Sequence, residues 1–203
     1  MFDDSYNTIT INSEGKYTEK GSKFLSFCFP VKSEIEVKEI LANLRKEYFD
    51  ARHHCYAYRL GWDKSAFRFN DDGEPSGTAG RPIYGQILSN DLTNVLIVVI
   101  RYFGGTKLGV SGLINAYKIA TIEALHSNKI IEIAIKDLYH IEFNYDKMSD
   151  VMKILKQPGI ELIETDFNTI CNITLSVTKT MTVQAYDALT KVENTKVEYI
   201  KTI

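Results

Sequence analysis

The stretch Asn94–Tyr117, NVLIVVIRYFGGTKLGVSGLINAY, decides how the chain is read. Its first seven residues form a nearly unbroken apolar, β-branched run, which predicts a strand covered on both faces. From Ser111 onward, Leu113, Ile114, Tyr117, Ala120, Thr121, Ala124 and Leu125 recur at helical spacing to about Ser127. Between strand and helix lie Gly104, Gly105, Gly109 and Gly112. A turn needs one or two glycines; four suggest main chain kept bare so that something can approach it. A helix start carries unpaired N–H groups and the positive end of the helix dipole, so it suits an anion. Arg101 and Lys107 would add charge, and Ser111 would cap the helix or donate to the ligand. The order of residues matches neither G-x-x-x-x-G-K-[ST], since Lys107 precedes Gly109, nor G-x-G-x-x-G. The competing reading is a strand-to-helix turn with tight packing.

Outward from this stretch, Lys23–Val31 reads as a strand. Val37, Ile40, Leu41, Leu44 and Tyr48 mark a helix opened by a capping box of Ser33 and Glu36. Cys55–Gly61 and Ser65–Asn70 read as a hairpin, and Ile83–Asn90 as a helix. Asp71–Pro82 is a loop by its Asp, Gly and Pro content. Beyond about residue 135 the order is strand (Leu138–Tyr145), helix, two strands (Ile160–Phe167 and Ile170–Thr178), helix, strand (Lys196–Ile203). The first of these helices carries Met148, Val151, Met152 and Leu155; the second carries Met181, Ala185, Ala188, Leu189 and Val192. That β-α-β-β-α-β order is the split βαβ pattern of ferredoxin-like folds. The fold class is α+β, with domains expected at 1–135 and 136–203.

The chain has 203 residues with a net charge of −2, which does not announce a nucleic-acid binder. Residues 1–136 hold 17 Lys and Arg against 16 Asp and Glu, whereas residues 137–203 hold 7 against 10. All the arginines lie in the first part, so an anion-reading surface belongs there. No apolar run approaches the roughly 18 residues of a membrane span, and the acidic start, MFDDSYNTIT, does not read as a signal peptide. The expectation is a cytoplasmic protein without a membrane partner; its oligomeric state is left open. Cys28, Cys55 and Cys171 are scattered, which indicates neither disulfides nor a zinc site; no metal and no cofactor is expected.

Chemistry concentrates in three segments: Arg52–Gly61, Asn70–Pro82 and the glycine run. Asp71, Asp72 and Glu74 could do acid–base work, although Asp-Asp-Gly is also ordinary turn vocabulary. His53, His54 and Cys55 could supply a base and a nucleophile, but neighbours on a strand point to opposite faces, so His54 and Cys55 cannot meet directly. A packed cysteine is the plainer reading.

FNDDGEPSGTAGRPI followed by NVLIVVIRYFGGTKLGVSGLINAY resembles the signature of the IMPACT family, including its bacterial YigZ-like members. SKFLSFCFPV and ARHHCYAYRLG match the family's earlier segments. The resemblance implies a first domain folded like domain 2 of ribosomal protein S5, a mixed sheet with two helices on one face. It implies a second domain like the C-terminal domain of elongation factor G. It also implies a link to translation, since eukaryotic relatives regulate it.

The favoured reading is a non-enzymatic regulator that docks an RNA, ribosomal or protein ligand on the first domain. Arg81, Arg101, Tyr102, Gly104, Gly105, Thr106, Lys107, Gly109, Ser111 and Gly112 would form its binding surface. The alternative is an enzyme, a hydrolase or phosphoryl-handling activity, with Asp72, Glu74 or His54 as catalytic groups and the glycine loop as anion site. A third reading makes the second domain a regulatory module. Phe143, Tyr145 and Phe167 could stack RNA bases there, but the electrostatic footprint of an RNA binder is missing.

Overall fold

A computed structural model describes residues 4–203. The first three residues of the acidic start, part of the segment read above as no signal peptide, lie outside the described residues. The chain divides into two compact units, Tyr6–Ile133 and a smaller one made of residues 4–5 with Ala134–Ile203.

The larger unit is built on a five-stranded sheet in the order β2 (Ser13–Glu19), β3 (Ser22–Pro30), β6 (Val95–Tyr102), β4 (His53–Leu60), β5 (Ala66–Asn70). Every ladder in it is antiparallel, so the mixed sheet implied by the family resemblance is not what forms. The central strand β6 is buried on both faces, as its composition predicts. On one face Leu96, Val98 and Ile100 pack with Val37, Leu41 and Leu44 of α1 (Glu34–Glu47). On the other, Val95, Ile97 and Val99 pack against α2 (Gly80–Ser89) and α3 (Gly109–His126). Two helices do share a face, and a third covers the opposite one.

Local sequence explains the helix starts. Ser33 Oγ accepts the Glu36 N–H at 3.3 Å while the Glu36 carboxylate accepts from Ser33 Oγ and from the Lys32 N–H, closing the predicted capping box. α2 begins three residues before the predicted start, with Pro82 in its first turn, where a missing N–H costs nothing. β2 and the short strands β1 (Ser5–Ile9) and β7 (Ile130–Ala134), which pair with each other, were not anticipated.

The smaller unit runs β8 (Lys136–Asn144), α4 (Met148–Leu155), β9 (Ile160–Phe167), β10 (Ile170–Thr178), α5 (Thr182–Thr190), β11 (Lys196–Thr202). This is the predicted βαββαβ order, folded as one antiparallel sheet β11-β8-β10-β9. Ile141, Phe143, Cys171, Ile173 and Leu175 form its core with Val151, Leu155, Ala185 and Leu189. Lys179 Nζ and the hydroxyls of Thr182 and Thr202 converge on the buried carboxylate of Asp137.

Candidate functional site: a closed acidic loop beside an open glycine loop

The start of β4 and the loop after β5 meet, as the three-segment reading requires. Asp71 is the hub of that loop. Its Oδ1 accepts the N–H groups of Ala79 and Gly80 at 2.9 and 2.8 Å, and its Oδ2 accepts that of Gly77 at 2.8 Å. Ala79, the α2 cap residue, has no side chain able to do this, so a carboxylate from eight residues upstream neutralises the helix start. Asp72 takes a positive φ of 42°, and its Oδ2 accepts the His54 N–H at 2.7 Å. Arg45 reaches its other oxygen from α1 at 3.3 Å. The Asp72 carbonyl oxygen lies 2.9 Å from His53 Nδ1.

Glu74 is buried, although every neighbour in the sequence suggests a wet loop. Its Oε1 lies 2.7 Å from Arg101 Nη1 and accepts a hydrogen bond from the Tyr117 hydroxyl at 2.8 Å. Arg101 is 6% exposed, its guanidinium lying 5.5 Å from the Phe24 ring and 5.6 Å from the Phe103 ring. Its Nη2 faces Ser22 Oγ at 3.4 Å, and its Nε has no partner among the described residues. The Cys55 thiol sits 3.0 Å from the Asp71 carbonyl oxygen and 3.3 Å from the Tyr117 hydroxyl. Burial pushes both the thiol and the phenol far above their ordinary ranges, so both stay protonated.

These contacts bear directly on the catalytic candidates. Glu74 is engaged in an internal ion pair, and Asp72 ties β4 to α1. His54 is buried on the α1 side of the sheet, away from Cys55, as strand alternation predicts. Burial lowers its pKa despite the opposing pull of Asp72, whose Oδ2 is 3.9 Å from Nδ1. Its Nε2 has no hydrogen-bond partner among the described residues. Tyr102, one residue beyond Arg101, faces the α1 side, where its hydroxyl donates to Asp50 at 2.7 Å, raising its pKa to about 12. It does not share a face with Arg101.

The glycine run is the opposite case. Gly104 lies so near the β2–β3 turn that a Cβ there would fall 1.9 Å from the Gly21 carbonyl carbon, and its N–H donates to Ser22 Oγ. Gly105 and Gly109 take positive φ values of 87° and 74°. After Gly104 the loop stands clear except at Leu108, which packs against the core. Gly105, Thr106, Lys107, Gly109, Val110 and Ser111 are exposed, and among the described residues no hydrogen bond or ion pair engages the side chains of Thr106, Lys107 or Ser111. No side chain caps the start of α3, Ser111 included. Arg81 is also exposed and unpaired, on the first turn of α2.

Sequence reasoning missed Tyr117 as the second partner of Glu74, and Ser22 as the contact shared by Arg101 and Gly104. The available signal for the former was a phenol on the mostly apolar, inward face of α3. In the smaller unit, Phe143 faces the helices and is 1% exposed, and Phe167 pairs with Cys171 on that same side. The opposite face presents His140, Glu164, Asp166, Asn172 and Thr174, polar and net acidic, with the His140 imidazole as the ring among them.

Comparison with known proteins fits this geometry. The profile of the Impact N-terminal domain matches residues 20–125, which contain every contact of the closed loop and the whole glycine run. The chain belongs to the IMPACT family. It is 32% identical over 164 residues to the IMPACT family member YvyE of Bacillus subtilis, covering 81% of this chain and 76% of that one. It is 31% identical over 150 residues to the IMPACT family member YigZ of Escherichia coli, covering 73% and 74%. A crystal structure of a hypothetical protein overlays 98% of this chain and 99% of its own at a TM-score of 0.73 and 24% identity, a likeness of fold. Among the described residues no helix is long and apolar enough to cross a membrane.

Proposed function

We propose that this IMPACT-family protein is a non-enzymatic binding protein of the translation apparatus in the cytoplasm. Its larger domain, residues 1–135, would dock an anionic ligand, RNA or a ribosomal or translation-associated protein, on the open loop Gly105–Gly112. The observation that carries this reading is the contrast in the site. The groups that could run a reaction are engaged with one another, while an uncapped helix start and an unpaired Lys107 are left to solvent. An enzymatic role for Glu74 would first require it to leave Arg101 and Tyr117, stranding a buried cation.

Arg101 enters this proposal as the residue that fixes the loop rather than as a ligand contact. It holds Glu74 on one side and, through Ser22, the chain at Gly104 on the other. The link to translation rests on the family resemblance, including the ribosomal protein S5-like reading of the larger domain and the elongation factor G-like reading of residues 136–203. Titrating the isotopically labelled protein with phosphate, nucleotides and RNA tests the proposal. Shifts concentrated in the amides of Thr106–Gly112 and reduced by Lys107→Ala are expected; unmoved amides there would refute it.

A further inference from the structure

The free edge of the five-stranded sheet carries aromatic rings that the core leaves in water. On β5, Phe67 is 53% exposed and Phe69 41%, and as residues two apart they share a face. Tyr84 of α2 lies against both. Its ring centroid is 5.1 Å from that of Phe67, with 16° between planes, and 5.6 Å from that of Phe69, with 30°. The result is a surface cluster in which the Tyr84 ring stacks against both phenylalanines. Beside Tyr84, Gly85 leaves open space where a larger side chain would stand.

The charge around this stack is positive. Arg59, Lys64 and Arg81 stand against Asp63 and Asp91 in the hairpin and α2 region, and Asp91 is held by Arg59 and Lys64. Arg81 is exposed, with no ion pair or hydrogen bond among the described residues, whereas Arg68, between Phe67 and Phe69, points to the opposite face with Tyr58. Arg81 precedes Tyr84 by three residues, which places the two side by side on the helix surface.

We propose that the Phe67–Tyr84–Phe69 stack is a platform for single-stranded nucleic acid, its bases laid on the rings and a phosphate met by Arg81. Exposed rings beside an unpaired guanidinium suit an unpaired base, whose π-face any aromatic can take, and a backbone that carries one charge per nucleotide. A duplex keeps its bases stacked inside and has nothing to offer the rings. The platform uses none of the residues of the glycine loop, so it stands or falls apart from the function proposed above.

Fluorescence anisotropy of the full chain with a labelled oligouridylate of about 12 nucleotides tests this. Saturable binding that weakens between about 50 and 200 mM salt is expected. Phe67→Ala should weaken it about tenfold, with Phe67→Tyr restoring it. Arg81→Ala should weaken it and lower the salt slope by about one. Lys38→Ala, on α1 at the opposite face of the sheet, should leave it unchanged. Both Phe67 and Arg81 are exposed, and circular dichroism would verify that the variants fold. Absence of binding at low salt, equal binding of a duplex of the same length, or wild-type affinity in Phe67→Ala would each overturn the proposal. Loss of binding in Lys107→Ala alone would move the nucleic acid to the glycine loop and overturn it equally.

Discussion

The acidic loop and the glycine loop read alike in sequence, both short, glycine-rich and polar, yet they fold to opposite ends. Residues 71–80 close upon themselves: each acidic side chain has a partner, and Asp71 alone satisfies three main-chain N–H groups. Residues 105–111 pack only Leu108 onto the core, and no hydrogen bond or ion pair engages the side chains of Thr106, Lys107 or Ser111 among the described residues. The difference lies in acceptors. Three carboxylates supply the first loop with anions for its own amides and cations, whereas the second has hydroxyls and a lysine but no anion of its own. Polar density therefore does not tell the two loops apart; an unmatched excess of donors does.

If the closed loop is a structural lock, removing its centre should cost more than any other change. Glu74→Ala leaves Arg101 buried beside two rings with no counter-charge, and a loss of about 3–5 kcal/mol is expected by chemical denaturation. Replacing both partners at once, with Glu74→Leu and Arg101→Met, should cost less than the sum of the singles, because no charge is then stranded. A Glu74→Ala protein of unchanged stability would erase the distinction between the loops.

The glycines of the open loop divide in the same spirit. Gly104→Ala drives a Cβ into the main chain of Gly21 and Ser22, and a destabilisation of about 1–3 kcal/mol or more is expected. Gly112→Ala meets only the Leu108 Cβ at 3.1 Å within a helix, where alanine is favoured by up to about 1 kcal/mol, so it should be near neutral or stabilising. Thermal unfolding of the pair separates the glycine that packing requires from the one it tolerates. A ligand titration of Gly112→Ala then asks whether bare main chain there serves binding.

Asp71→Asn tests the cap. The amide oxygen can still accept one or two of the N–H groups but carries no charge toward the helix start, and a loss of about 1–2 kcal/mol is expected. No stability change would mean that solvent replaces the carboxylate freely, and the loop would then be closed in geometry only.

How much of this was legible follows from the physics of each signal. β6 and the three helices of the larger unit announce themselves because their apolar residues repeat at a fixed period, and the βαββαβ order of the smaller unit follows from the same periodicity. β2 is silent because its inward positions are Ser13, Gly15 and Tyr17, too small or polar to alternate visibly. They are small because α3 lies close: Ser13 donates to the Ala124 carbonyl, and a Cβ on Gly15 would fall 2.4 Å from the Ala124 nitrogen. The same limit applies to the site. Sequence singles out Glu74 and Arg101 as chemistry-bearing and reads Tyr117 only as a helix position, and separations of 27 and 43 residues are bridged only through the sheet register and the docking of α3.

The smallest effect concerns pH and again distinguishes the loops. His54, backing the closed loop, has a pKa lowered below 6.5 chiefly by burial, so the folded protein holds it neutral while the unfolded chain takes up a proton. Its contribution is fully present above about pH 6.5 and declines as pH falls toward its folded value, because in that window the unfolded state binds more protons. Asp137 of the smaller unit also has a depressed pKa, burial opposing but outweighed by Thr202, Thr182 and Lys179, and its contribution is lost only at pH values below the ordinary carboxylate range of about 3.8. A His54→Gln variant should therefore flatten the stability profile between pH 6.5 and the acidic carboxylate range, and an Asp137→Asn variant only the acid limb beneath it. Lys107→Ala should alter neither limb, since no hydrogen bond or ion pair among the described residues joins it to His54 or Asp137. A shift of either limb in that variant would mean that the open loop is coupled to the closed one after all.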